Sequence, residues 1–224
     1  MNLKQIAAEH AATFVEDGMK VGLGTGSTAY FAICKIGERV QAGLNIQAVA
    51  TSEASDKLAR EWGIPIIPFD QIGRLDLTID GADEVDPEFN LIKGGGGALL
   101  REKIVAANSN KLIIVADGSK AVQKLGKFPL PVEVVPFASE WTFQTLEKMG
   151  CQPKWRMNGE ELYLTDNGNL IADCQMGAIA DAAELNVQLN MLPGVVDNGL
   201  FVNMADVVII AKEDGTIDEL NRSQ

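Results

Sequence analysis

Apolar positions along the first half of the chain alternate between two rhythms. Leu3, Ile6, Ala7, His10 and Phe14 recur at helical spacing and predict a helix near 3–17. A short apolar run near 20–24 then predicts a strand, followed by a helix near 28–41, a strand near 45–50 and a helix near 53–62. Short β-rich segments follow at 64–67, 75–80 and 111–116, with a helix near 98–108 between the last two. Such alternation argues for a parallel sheet covered by helices on both faces, with ligands at the carboxyl ends of its strands.

The rhythm changes around Gly126-Lys127-Phe128-Pro129-Leu130-Pro131, where two prolines bar a helix and Val132 to Val135 reads as a new strand. Beyond it the pattern gives a helix at 139–149, a strand at 153–157, a hairpin through Asp166-Asn167-Gly168-Asn169, a helix at 179–191 and a strand at 195–202. That order matches a split βαβ, ferredoxin-like unit. The last strand, 206–211, is almost wholly apolar, so it should be buried on both faces and return to the first sheet. The expected fold class is therefore α/β: a Rossmann-like open parallel sheet domain, residues 1–126 plus 203–224, with an inserted α+β ferredoxin-like domain, residues 127–202.

At 224 residues the chain can bury a substantial core. Its net charge of −12, from 19 basic and 31 acidic residues, opposes affinity for nucleic acid or an anionic membrane. An anionic ligand would need a locally positive site. Lys4, Glu9, Glu16 and Asp17 interrupt the N-terminal segment and no later run could span a bilayer, so a cytoplasmic protein is expected. Cys34, Cys151 and Cys174 share no spacing for a zinc site or redox pair and read as small buried residues. The single histidine, His10, falls on an apolar stripe, which argues against Ser-His-Asp and Cys-His catalysis and His-rich metal sites. Acid–base work falls to carboxylates and lysines, and no metal or cofactor is expected.

Four motifs carry candidate chemistry. Gly22-Leu23-Gly24-Thr25-Gly26-Ser27-Thr28 follows a strand and opens a helix, which gathers amides and hydroxyls at a positive helix terminus. It lacks the third glycine of the dinucleotide fingerprint and the Gly-Lys-Ser/Thr ending of a P-loop, so a small phosphorylated ligand fits better than a nucleotide. A tight turn capped by Ser27 or Thr28 would leave the same pattern. Asp80 and Asp83 come just after the 75–80 strand, at the ligand edge of such a sheet, although Asp-Gly pairs also serve turns. Glu84, Asp86 and Glu88 read as solvated.

Lys93 leads into four consecutive glycines, Gly94 to Gly97, whose bare amides could form a donor nest for a developing oxyanion or simply a flexible hinge. In the helix that follows, Glu102 shares a face with Ala98, Leu99 and Ala106. A carboxylate turned to the packed side has the raised pKa a base needs near neutrality, whereas Arg101 and Lys103 fall on solvated faces. Lys120, after Asp117-Gly118-Ser119, stands at another strand end where a phosphate could be met.

Gly24-Thr25-Gly26-Ser27-Thr28, Asp80-Gly81-Ala82-Asp83, Lys93-Gly94-Gly95-Gly96, Arg101-Glu102-Lys103 and the 126–134 segment together resemble ribose-5-phosphate isomerases of type A, and the likeness runs on through Leu192-Pro193-Gly194-Val195-Val196 to the last strand. The resemblance implies interconversion of D-ribose 5-phosphate and D-ribulose 5-phosphate without a metal, in a homodimer or homotetramer. It implies that Glu102 moves a proton between C2 and C1, that Asp80 and Asp83 handle sugar hydroxyls and ring opening, and that Lys93 with the Gly94, Gly95 and Gly96 amides holds the oxyanion. Thr25, Gly26, Ser27, Thr28 and Lys120 would hold the phosphate, with Lys4 as a further contact, and Gly81 and Ala82 would line the substrate. Gly97 departs from the family, where alanine is common. A non-catalytic sugar-phosphate sensor and an acyl-CoA transferase using Glu102 as nucleophile remain alternatives on the same kind of fold.

Overall fold

The computed structural model describes residues 2–222. Its elements, in chain order, are α1 (Leu3–Ala12), β1 (Lys20–Leu23), α2 (Ser27–Gln41), β2 (Gln47–Ala50), α3 (Glu53–Glu61), α4 (Phe69–Ile72), β3 (Leu77–Gly81), β4 (Glu84–Val85), β5 (Leu91–Ile92), α5 (Leu99–Ala107) and β6 (Leu112–Asp117). There follow β7 (Leu130–Val134), α6 (Ser139–Lys148), β8 (Pro153–Trp155), β9 (Met157–Asn158), β10 (Glu161–Leu162), β11 (Leu170–Cys174), α7 (Ala182–Asn190), β12 (Val195–Asn198), β13 (Leu200–Phe201), β14 (Val207–Ala211) and β15 (Ile217–Asn221). None of the helices is long and apolar enough to cross a membrane.

Contacts divide the chain into two units. The first comprises Met1–Ala82, Arg101–Ala121 and Met204–Gln224, and the second Asp83–Leu100 and Val122–Asn203. Residues 83–100, which the sequence pattern assigned to the α/β domain, thus belong with the second unit, because β4 and β5 pair with β13 in a small antiparallel sheet.

The first unit is built on a six-stranded sheet ordered β15-β14-β6-β3-β1-β2, parallel except for β15 at the edge. Its five parallel strands run 2-1-3-4-5 in order of appearance, so the winding reverses between β1 and β3. Alternation along the strands separates two apolar layers. Val21, Leu23, Leu77, Ile79, Ile113, Val115, Val207 and Ile209 join α1 and α2 residues in the main core. On the opposite face Val49, Leu75 and Val105 of α5 form a smaller cluster. Gly22 and Thr78 lie under Val105: a Cβ on Gly22 would stand 2.8 Å from its Cγ1. The expected strand at 64–67 contracts to a single bridge, Ala48 to Ile66, and β15 is a strand the pattern did not reveal. His10 packs edge-on against Phe14 and, half-exposed, meets Glu219 of β15 at 3.2 Å.

In the second unit β12-β7-β11-β8 form an antiparallel sheet with α6 and α7 in the connections, the strand order of a ferredoxin-like fold. Cys151 and Cys174 are buried in its core, while Cys34 of the first unit is partly exposed. The expected hairpin turn lies elsewhere. The paired strands are β9 and β10, turning through Gly159 and Glu160, whereas 165–169 is a loop closed by Thr165 N–H to the Asn169 carbonyl and Gly168 N–H to the Thr165 carbonyl. The predicted 195–202 strand splits between two sheets as β12 and β13. Thr142 Oγ1 donates to the Pro193 carbonyl at 3.2 Å and Val135 N–H to the Gly194 carbonyl at 2.9 Å. Phe137, Trp141 and Met191 flank this junction and are 88%, 74% and 77% exposed.

Candidate active site

In the first unit the reversal of winding places the carboxyl ends of β1 and β3 side by side, and these ends carry the phosphate-loop candidate and Asp80. The loop backbone lies directly on the acid: Thr25 N–H donates to Asp80 Oδ1 at 3.1 Å, and Gly81 N–H to the same oxygen at 2.8 Å. Asp80 is 1% exposed. By strand alternation it shares the face of Thr78, the face that α5 covers. Glu102, in the first turn of α5, is 4% exposed on the helix side that also buries Ala98, Leu99 and Ala106, as expected from its spacing. Arg101 on another face stands 3.9 Å from Glu53.

Gly26, at φ +99°, caps α2 with no side-chain hydrogen bond. The alternative in which Ser27 or Thr28 caps the turn is therefore not what the chain does. The first-turn amides of Ser27, Thr28 and Ala29 are left at the positive end of a 15-residue helix, an arrangement suited to an anion. Lys4 Nζ donates to Ser27 Oγ at 2.9 Å, adding a cation to the same loop. Lys120 ends a 3-10 turn, Gly118–Lys120, after β6; among the described residues no hydrogen bond links it to the loop.

The Thr25 hydroxyl faces inward. It lies 2.7 Å from Thr51 Oγ1, 2.8 Å from Ser52 Oγ and 3.3 Å from Ser55 Oγ, and Ser55 Oγ donates to the Gly24 carbonyl at 2.7 Å. This hydroxyl cluster fixes the loop from beneath, while the Thr25 N–H is already given to Asp80. Thr51, Ser52 and Ser55 escaped the sequence reading; Ser52 also caps α3, accepting from Ser55 N–H.

In the second unit the run from Asp83 to Gly97 forms its own cluster. Lys93 is 2% exposed and its ammonium stands 5.4 Å from the centre of the Phe201 ring. Its N–H donates to the Gly199 carbonyl at 2.9 Å, fixing the entry to the glycines. Gly95 N–H donates to Asp83 Oδ2 at 2.8 Å and Gly97 N–H to the Gly94 carbonyl at 2.9 Å. The Gly95 amide is thus committed to Asp83, and among the described residues the Gly96 N–H has no protein acceptor. Gly94 and Gly97 take φ of +103° and +82°. A Cβ on Gly97 would stand 2.2 Å from the Tyr163 hydroxyl, which accounts for glycine at this position. Gly81, Ala82 and Asp83 are partly exposed, and Gly96 is exposed.

Glu84 corrects an expectation. It is not solvated but 3% exposed, accepting from Gly126 N–H at 2.7 Å and Phe128 N–H at 2.6 Å. The carboxylate is drawn inward because the turn at Gly126, φ +115°, presents two amides to it.

The model of the family described as ribose 5-phosphate isomerase A (phosphoriboisomerase A) matches residues 47–215. A ribose-5-phosphate isomerase A of Bacillus cereus is 55% identical over 221 residues, covering 98% of this chain and all of the relative, and one of Bacillus mycoides is 52% identical over 216 residues, covering 96% and 98%. Among solved structures, ribose 5-phosphate isomerase from Plasmodium falciparum superposes with a TM-score of 0.96 at 40% identity, covering 99% of both chains. A D-ribose-5-phosphate isomerase in complex with phospho-erythronic acid gives 0.95 at 40% identity, over 99% of this chain and all of the other. With both the site geometry and these likenesses in hand, the chain belongs to the ribose 5-phosphate isomerase A family and is an isomerase.

Proposed function

We propose that the chain interconverts D-ribose 5-phosphate and D-ribulose 5-phosphate through an enediolate, in the non-oxidative branch of the pentose phosphate pathway in the cytoplasm. The observation that carries this reading is the pairing, in one unit, of a buried glutamate, Glu102, with an open helix N-terminus beside Asp80. Isomerisation needs a base that takes a proton from C2 and returns it to C1, an anchor for the phosphate, and donors for the oxygen that gains charge. Glu102 serves as the base. The Gly26, Ser27 and Thr28 backbone, with Lys4 and Lys120, anchors the phosphate, and Thr25 shapes the loop.

Lys93 and the Gly94 and Gly96 amides hold the developing oxyanion, while Asp83 takes the Gly95 amide and orients the run. Asp80 and Asp83 act on ring and hydroxyl oxygens, and Gly81 and Ala82 give the sugar close approach to backbone. The route needs neither metal nor cofactor. The phospho-erythronic acid bound by a 40% identical relative is a four-carbon sugar-acid phosphate, which supports an open-chain sugar phosphate as ligand.

The test is conversion of ribose 5-phosphate by purified protein in excess EDTA beside Glu102→Gln. The variant should fold and bind substrate yet lose turnover by about 10²- to 10⁴-fold. Near-normal turnover in Glu102→Gln would remove the base assignment. A folded wild type without turnover would favour a sensor, or a transferase if Glu102 were trapped as an acyl adduct.

We further infer a homo-oligomer, supported by the exposed Phe137, Trp141 and Met191 around the α6–α7 junction. No contact with nucleic acid or membrane is proposed, in keeping with the net charge of −12.

A further inference from the structure

The glycine run of the second unit is held by a side chain with no role in the reaction described above. Arg156 lies between β8 and β9, with its N–H bonded to the Ile171 carbonyl at 2.8 Å. Its side chain is 14% exposed and forks in two directions. Toward β11, Nε meets Asp173 Oδ2 at 3.0 Å and Nη2 meets Asp173 Oδ1 at 2.5 Å, a bidentate pair that fixes the guanidinium plane. Toward the glycines, Nη1 donates to the Gly94 carbonyl at 2.8 Å and to the Gly95 carbonyl at 3.2 Å. Tyr163 adds a third point: Arg156 Cζ stands 5.9 Å from its ring centre, and its hydroxyl reaches the Gly96 carbonyl at 3.5 Å. Burial holds the Tyr163 phenol above its usual range, with the Asp166 charge acting in the same sense.

A peptide plane carries its C=O and the following N–H in opposite directions. Holding the Gly94 carbonyl therefore aims the Gly95 N–H, which Asp83 accepts from the other side at 2.8 Å. Holding the Gly95 carbonyl aims the Gly96 N–H, the amide left for a ligand. Glycines lose more backbone freedom on ordering than any other residue, so a run of them keeps one geometry only if something outside the run fixes it. The two carbonyls turned away from the ligand are where a clamp does so without obstructing the amides.

We propose that Arg156, itself oriented by Asp173, is a positioning residue for the isomerase: it locks the Gly94 and Gly95 peptide planes so that the Gly96 amide is pre-aimed at the developing oxyanion. The proposal rests on the isomerase reading for its catalytic part but not for its conformational part. It also gives the ferredoxin-like sheet a task in catalysis, since Asp173 lies on its strand β11 and Arg156 directly follows its strand β8. Lysine cannot replace Arg156, because an ammonium cannot grip a carboxylate with two parallel bonds and two carbonyls at once.

The experiment compares the wild type with Arg156→Lys, Arg156→Ala and Asp173→Asn. Hydrogen–deuterium exchange of peptides spanning 93–100 should speed up in all three, while peptides from β1 to β3 remain at wild-type rates. With ribose 5-phosphate, kcat should fall by about 10- to 100-fold, the cost of a displaced catalytic group. KM and inhibition by inorganic phosphate, which reads the Ser27 loop, should stay at wild-type values. Asp173→Asn should shift kcat in the same direction by less. A merely structural Arg156 would instead lower the folded fraction and leave kcat per folded molecule intact. That result, or unchanged exchange at 93–100 in Arg156→Lys and Arg156→Ala, overturns the proposal. A wild type that fails to turn over ribose 5-phosphate would defeat the isomerase reading and the catalytic role together, while the exchange data would still decide the clamp.

Discussion

Gly24 and Asp80 are in backbone contact across the β1–β3 switch point: a Cβ on Gly24 would stand 2.2 Å from Asp80 Oδ1 and 2.6 Å from Asp80 Cα. Only a residue without a side chain lets the loop rest on the acid, and that approach brings Thr25 N–H within 3.1 Å of the carboxylate. Glycine is needed here for space and not for its dihedral freedom, since the left-handed turn falls two residues later at Gly26.

Gly24→Ala should therefore act on both the loop and Asp80. Because one clashing atom is backbone, a rotamer change cannot relieve the contact, and overpacking of this kind costs about 1–3 kcal/mol. The expected outcome is a lowered urea midpoint together with a loss of turnover larger than the loss of folded protein. An alanine variant with the stability and activity of the wild type would mean that the loop does not rest on Asp80 in solution.

The parts of the fold that the sequence revealed are those governed by local pattern. Val21, Leu23, Leu77, Ile79 and Leu112 to Val115 are apolar because both faces of each strand are covered, and Asp80 and Glu102 stood out by their places at a strand end and on a packed helix face. What stayed hidden depends on distant partners. β15 reads Ile-Asp-Glu-Leu-Asn because it is an exposed edge, with no apolar run to announce it. Glu84 looks like any turn carboxylate until its amide partners arrive from Gly126 and Phe128, 42 and 44 residues away. Arg156 meets Gly94 across 62 residues. The hydroxyls of Thr51, Ser52 and Ser55 carry no spacing signal that links them to Thr25.

Glu84→Ala tests the buried carboxylate. It removes the acceptor of two backbone amides, and hydrogen bonds to a charged group are worth about 1.5–3 kcal/mol each. A destabilisation of roughly 3 kcal/mol or more follows from the two bonds together. Glu84→Gln should fall between that variant and the wild type, because its amide keeps one acceptor but turns an NH2 group toward the second N–H. Denaturant midpoints measure both. Activity per folded molecule should suffer far less than in Glu102→Gln, and a stability unchanged in Glu84→Ala would refute the structural role.

Self-association through the α6–α7 junction is the prediction with the widest consequence. Large aromatic side chains bury about 150–250 Å² each when fully covered, so Phe137, Trp141 and Met191 offer roughly 400–500 Å² per copy at their observed exposure. A two-fold axis places the same patch on both partners and doubles the buried area to about 800–1,000 Å² before any rim is counted, close to the lower limit of specific interfaces. Sedimentation velocity on the wild type should give a multiple of the 24.0 kDa chain mass. Trp141→Ser combined with Met191→Ser should shift it toward the single chain while leaving the fold intact, because neither side chain belongs to the buried core of the unit. A wild type that sediments as one chain, or a double variant that keeps the wild-type mass, would show that this face is not where copies meet; a shift to the single chain would assign the second unit an assembly surface distinct from the residues that hold the glycine run.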